Sequence, residues 1–191
     1  MNGILLFFAY LSTVPLANWM IGHAGACSGQ GPCVIPVGFG LVAPSGVLMI
    51  GASLMLRDAV QRMLGWRWGL AAIALGAGVS AFISPPAILL ASVAAFLVSE
   101  TADFLVYTPL AQRSLPLAFL ASGTVGAVVD SALFLLIAFG SLQFVAGQVV
   151  GKMWVSVAAA LIAGGTRLMN RHARQESRVL IATGHGEDRS A

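Results

Sequence analysis

The sequence predicts an all-α polytopic membrane protein, a compact bundle of six transmembrane helices. Three observations point there. Of the 191 residues, 58% are hydrophobic and only 9% are charged, whereas a soluble domain usually carries charge on about a quarter of its residues. The apolar stretches are long and continuous, unlike barrel strands, which alternate apolar and polar over about ten residues. The basic residues also fall into alternate loops, as helices crossing a bilayer back and forth would place them.

The spans follow in order. The first is Gly3–Gly22. A signal peptide is the alternative there, because "HAGAC" looks like a cleavage or lipoprotein site. However, no Lys or Arg precedes Ile4, and another apolar span follows it rather than a secreted domain. The second span is Ser45–Leu64 and the third, the shortest, is Gly69–Ser84. Pro86–Thr108, Leu115–Phe139 and Phe144–Met169 complete the set, with Gly, Pro and small polar clusters between most of them. Residues 1–169 thus read as one membrane domain of helices long enough to cross a bilayer. Residues 170–191, rich in Arg, Gln, Glu, Ser and Gly, read as a partly disordered basic tail.

Charge placement sets the expected orientation. Arg57, Arg62 and Arg67 lie late in span two or in the second loop, and Arg113 lies in the fourth. Arg167, Arg171, Arg174, Arg178 and Arg189 lie at or beyond the end of span six. Loops one, three and five carry no Lys or Arg. Both termini are therefore expected in the cytoplasm, with the chain in the inner (plasma) membrane. The tail suits anionic lipid headgroups. It lacks the broad basic surface and aromatic elements that nucleic-acid binding needs.

The one long loop, "GHAGACSGQGPCVIPVGFGLVAP", lies on the outward side. A disulfide between Cys27 and Cys33 is open there, and so are two separate thiols; the spacing does not match a zinc pair. The apolar stretch Val34–Val42 either folds back as a re-entrant lid or packs on helix ends.

Polar residues inside the spans are the candidate site. They are Asn18 in span one, Arg57, Asp58 and Gln61 in span two, Glu100 and Asp103 in span four, Asp130 in span five and Lys152 in span six. A charge at bilayer depth costs a few kcal/mol, about 2.5–3.5 on insertion scales, so it has a partner or a task. At about 1.5 Å of rise per residue, Arg57 and Glu100 come out about 18–21 Å below the outer ends of their spans, and Asp130 and Lys152 about 13–15 Å. Matched depth predicts Arg57–Glu100 and Asp130–Lys152 pairing. Such pairs either order the bundle or line a polar cavity and exchange partners with a substrate. Glu100 and Asp103, three residues apart, share a helix face and should look into the bundle, one of them toward Arg57.

Asn18 and Gln61 are also able to bridge helices. Trp19, Trp66, Trp68 and Tyr107 read as interface anchors, and Trp154 as core packing or a stacking face for a flat ligand. Gly76, Gly78 and Ser80, and Gly123 with Ala127, read as close helix contacts. There is no phosphate-binding Gly-Lys-Ser loop and no His-Glu-x-x-His. No catalytic residue, metal site or cofactor is expected, and the chain does not read as an enzyme.

In order, "LANWMIG", "PSGVLMIGASLMLRDAVQRMLG", "VSETADFLVYTPL", "GAVVDSALFLLIAFG" and "GQVVGKMW" resemble the vitamin uptake transporter (VUT) family. That family includes queuosine precursor transporters, six-helix inner-membrane proteins that import 7-deazaguanine bases. The resemblance covers roughly residues 12–169 and implies that the eight polar residues above fall on the family's polar positions as substrate-binding candidates. The glycine-rich outer loop with its two cysteines and the short third span depart from the family pattern. A 7-deazaguanine offers N1–H and a 2-amino group as adjacent donors, which a carboxylate accepts together. Lys152 would donate to the ring carbonyl or release a carboxylate. The partners implied are a small-molecule substrate, a queuosine precursor or similar nucleobase or vitamin, and membrane lipid, with a homo-oligomer left open. Two other readings stand beside the importer: a substrate-binding subunit that needs a separate ATPase, and a structural or assembly protein whose buried charges only hold helices together.

Overall fold

In the computed structural model, residues 2–27, 32–84, 86, 89–142 and 144–184 are described, with helix path alone for 139 and 166–184. Among the described residues there are six helices: α1 (Gly3–His23), α2 (Val47–Leu64), α3 (Trp66–Ile83), α4 (Leu89–Ala111), α5 (Leu115–Phe139) and α6 (Val145–Gly184). Five are long and apolar enough to cross a membrane. The exception, α2, carries Arg57, Asp58 and Arg62. It touches all five other helices, and Arg57 and Asp58 are buried among them while Arg62 near its end is exposed. An apolar group built on Tyr10, Val60 and Phe96 lies on one side of α2. Another, built on Leu54, Tyr107 and Phe119, lies on the other.

The third span begins earlier than the hydropathy pattern predicts. Gly65, at φ 96°, breaks the chain between α2 and α3, a backbone conformation that glycine adopts without steric cost. Trp66, Arg67 and Trp68 therefore belong to the first turn of α3. At the far end, the tail expected to be partly disordered from residue 170 continues as helix to Gly184. No proline interrupts it, and Arg, Gln, Glu and Leu are good helix formers. Residues 185–191 lie outside the described residues.

Missing from the expected architecture was a β-hairpin. Strands β1 (Val34–Gly38) and β2 (Leu41–Pro44) pair antiparallel, joined by Phe39 and Gly40 at φ 53° and 72°. Positive φ at both turn positions is what a two-residue type I′ hairpin requires. The hairpin lies along α6. A Cβ on Gly147 would collide with the Val42 carbonyl, and one on Gly151 would come within 2.9 Å of Val47 Cγ1 and 3.1 Å of Val37 Cγ1. Trp154 Nε1–H donates to the Val37 carbonyl at 2.7 Å, and its ring stacks on Phe39. Val34–Val42, foreseen as a re-entrant lid or a loop packed on helix ends, is instead part of this hairpin, packed against the first turns of α6.

A Cys27–Cys33 disulfide staples the base of this hairpin. Cys33 N–H donates to Ile21 O at 2.7 Å and accepts at its own carbonyl from Ser45 N–H at 2.9 Å. Trp154, half exposed, is a mooring for the hairpin and not core packing. Tyr107 is 1% exposed against Phe119, so it is a core residue and not an interface anchor. Trp19, Trp66 and Trp68 are exposed near helix ends. Gly76 meets Tyr10 and Phe96, and Gly123 meets Ser156 and Met55, whereas Gly78 faces open space.

Candidate functional site

The polar residues predicted from sequence divide into two groups at different levels. The upper group borders a cavity of about 680 Å³. That cavity reaches the hairpin end of the bundle, where Ile21, Pro44, Ser84 and Phe144 line it. Its inner wall holds Asn18 of α1, Asp130 of α5, and Gln148 and Lys152 of α6, with Phe96 and Phe134 as aromatic surfaces.

Lys152 is the centre of this group. Its ammonium donates to Asp130 Oδ2, to Ser131 Oγ at 2.7 Å and, at a long 3.5 Å, to Gln148 Oε1 one turn back on α6. The lysine is 2% exposed and Asp130 is 14% exposed, so the carboxylate is the member of the pair that looks into the cavity. Gly51 allows this. On α2 it faces the Lys152 backbone, where a Cβ would come within 3.1 Å of the Lys152 Cα.

Below the cavity lies a closed group. The last cavity-lining residues on α2 and α4 are Ile50 and Phe96. Arg57 and Glu100 follow about 6–10 Å further along the helices, at 1.5 Å per residue. Arg57 Nη1 lies 2.7 Å from Asp58 Oδ1, Nε lies 3.0 Å from Glu100 Oε2 and Nη2 lies 2.9 Å from Asp103 Oδ1. The Nε–Glu100 contact is a directed hydrogen bond. Asp58 Oδ1 and Asp103 Oδ1 have no hydrogen-bond partner of acceptable geometry, so those two contacts are ion pairs off the N–H directions. The guanidinium also donates to Gln61 Oε1 at 3.3 Å and lies over the Phe104 ring. Ser122 donates to Asp58 Oδ2 at 3.1 Å, and Gln61 Nε2 donates to Thr108 Oγ1 at 2.9 Å. None of the four charged side chains is more than 1% exposed.

Both depth-matched pairs are therefore present, Arg57 with Glu100 and Lys152 with Asp130. Glu100 and Asp103 both face Arg57 from one side of α4. Of the eight candidates, Asn18, Asp130 and Lys152 line the cavity, while Arg57, Asp58, Gln61, Glu100 and Asp103 form the enclosed group beneath it. Ser99 connects the levels. Next to Glu100 on α4, its hydroxyl lies 3.5 Å from Asp130 Oδ1. Gln148, Ser131 and the cavity phenylalanines were not singled out from sequence. Gln148 was within reach, being polar and four residues before Lys152. Among the described residues no His, Cys, Asp and Glu cluster could hold a metal ion.

No curated protein matches the chain, and no solved structure does. Residues 79–164 match a family described as "Putative vitamin uptake transporter". The matched segment runs from the end of α3 through the first half of α6 and includes Glu100, Asp103, Asp130 and Lys152; over these residues the chain is similar to that family.

Proposed function

We propose that this multi-pass membrane protein imports a small, flat, polar heterocycle, with a 7-deazaguanine precursor of queuosine as the leading cargo. The observation that carries the reading is the cavity beside Asp130 and Lys152. At about 680 Å³ it lies in the usual range for small-molecule sites, about 300–1,000 Å³. It also combines the two kinds of surface such a ligand needs. Phe96 and Phe134 offer faces for a ring, and Asp130, Asn18 and Gln148 offer hydrogen-bonding groups for its edge. Similarity to a transporter family over residues 79–164 supports a small-molecule substrate and a lipid surround.

The arginine pattern supports cytoplasmic termini in an inner membrane, with the cavity reached from outside. The ligand's way inward then runs past the Arg57 group, which is closed in this structure. Import requires that group to rearrange, exposing the site to the cytoplasm while the hairpin end closes.

The direct test is uptake of labelled precursor, and rescue of tRNA modification, in a mutant lacking its own precursor importer. The host should supply no ATPase partner for the protein. Accumulation there supports a self-sufficient importer. Correct insertion without uptake or rescue would remove the reading. Reporters fused after Gln112 and after Gly140 should report opposite sides of the membrane.

A further inference from the structure

The cavity contains a cation and a carboxylate at its wall, and either could be the group that reads a ligand. The geometry separates them. An ammonium has three N–H donors, and three acceptors surround the one on Lys152: Asp130 Oδ2, Ser131 Oγ and Gln148 Oε1. The side chain is enclosed as well. To bond a ligand it would have to give up an acceptor inside a low-dielectric wall.

Asp130 is the reverse. One oxygen is held by Lys152. Among the described residues the other, Oδ1, has only the Ser99 hydroxyl at 3.5 Å, and that hydroxyl is shared with the Phe96 carbonyl at 3.1 Å. A carboxylate oxygen accepts about two hydrogen bonds, so Oδ1 keeps capacity, and Asp130 borders the cavity.

Two amides complete the wall. Gln148 turns Oε1 to Lys152 at 3.5 Å, which points its Nε2–H donors away from the ammonium. Asn18 spends one of its two Nδ2–H donors on the Val14 carbonyl at 3.1 Å, which leaves Oδ1 as an acceptor beside a second N–H.

We propose, resting on the importer reading, that Lys152 is a positioning residue and that Asp130 Oδ1, Gln148 Nε2 and Asn18 Oδ1 read the ligand. Their pattern of two acceptors and one donor selects a ring edge with adjacent N–H donors and a carbonyl. Because Lys152 already neutralises Asp130, the ligand selected is uncharged. The enclosed carboxylates Glu100 and Asp103 take no part in this contact.

The experiment uses the purified full chain in lipid nanodiscs, with two probes. 7-Deazaguanine carries the 2-amino donor, and 7-deazahypoxanthine lacks it. A site built to bond a ligand N–H discriminates strongly against the analogue lacking it. The wild-type protein should prefer 7-deazaguanine by about tenfold or more. Since removing one partner of a buried pair endangers folding, the test variant is the uncharged double substitution Asp130→Asn/Lys152→Gln, with thermal unfolding as its check. It should bind the two bases within about threefold of each other, because the paired amides no longer offer a free carboxylate oxygen. Lys152→Arg, which keeps the cation beside Asp130, should weaken binding of both bases and retain the preference. Retained preference in the folded double variant would overturn the inference, and so would its loss in Lys152→Arg. A wild-type protein that binds both bases equally would overturn the inference and leave the importer reading standing. Binding of neither base would overturn both.

Discussion

Arg57 and Lys152 are buried cations on two helices that touch, and their surroundings differ in a way that separates their roles. Three carboxylates enclose Arg57, and no member of that ion-pair group is more than 1% exposed. Lys152 meets one carboxylate, a hydroxyl and an amide, and its carboxylate is partly open to a cavity. In the lower group one cation is what makes three buried carboxylates tolerable. In the upper group the charges cancel one for one, and the spare hydrogen-bonding capacity faces empty space. The lower arrangement suits a closed barrier and the upper one suits recognition.

The largest effect should come from removing the cation of the lower group. Arg57→Met leaves Asp58, Glu100 and Asp103 with no counter-charge, and breaking a buried pair in this way typically costs about 3–5 kcal/mol. We expect little folded protein in the membrane, read as inserted yield and as thermal unfolding in detergent. Arg57→Lys should rescue poorly, because a single ammonium cannot reach three carboxylates from the directions the planar fork does. An Arg57→Met protein as stable as wild type would show that the lower group does not hold the bundle together.

Glu100→Gln sharpens the comparison. Two carboxylates remain for Arg57, and the amide keeps the shape, so membrane expression should stay near normal. If the lower group must open and close during transport, the substitution abolishes uptake while 7-deazaguanine still binds at Asp130. Asp103→Asn should do the same or alter the pH dependence of uptake. Normal uptake by both variants would make the lower group purely structural.

How much of this was legible in the sequence follows from what depth alone can encode. Counting residues from span ends placed Arg57 level with Glu100 and Lys152 level with Asp130, and the pairs are present. Depth also put the second pair above the first, but it could not say that a cavity opens at the upper level and ends before the lower one. The lower level is closed by tight packing, as where a Cβ on Gly126 would come within 3.0 Å of Asp103 Oδ2 and Leu54 Cδ2. Gln148 and Phe134 escaped notice because an amide or a phenylalanine in an apolar run is ordinary until its neighbours are known. The hairpin was hidden for another reason. Val34–Pro44 is apolar on both faces, so it shows no two-residue alternation, and its fit depends on Gly147 and Gly151 more than a hundred residues later.

The hairpin end offers a smaller perturbation. Cys27 and Cys33 are six residues apart in sequence, and closing so short a loop is worth about 2 kcal/mol in the chain-entropy account. Cys27→Ser/Cys33→Ser should lower the thermal midpoint modestly, and a reductant should do the same to the wild-type protein. The Arg57 group lies at the other level of the bundle, so inserted yield should not fall as it does in Arg57→Met. A collapse of yield would mean that the hairpin and the lower group fold as one unit.

Trp154→Phe should have the smallest effect and tests how the hairpin is moored. The substitution keeps an aromatic ring to stack on Phe39 and removes only the Nε1–H that meets the Val37 carbonyl at 2.7 Å. A single neutral hydrogen bond is worth about 0.5–1.5 kcal/mol, and the Gly147–Gly151 groove still accepts the strands. Amide exchange should therefore quicken in Val34–Leu41, while exchange around Arg57 in α2 stays as in wild type. Neither Val37 nor Trp154 lines the cavity, so 7-deazaguanine affinity should change by less than about twofold, well under the tenfold that corresponds to 1.4 kcal/mol. A loss as large as that seen in Asp130→Asn/Lys152→Gln would mean that the mooring sets the position of Lys152, two residues back on α6, and that the hairpin and the recognition group move together.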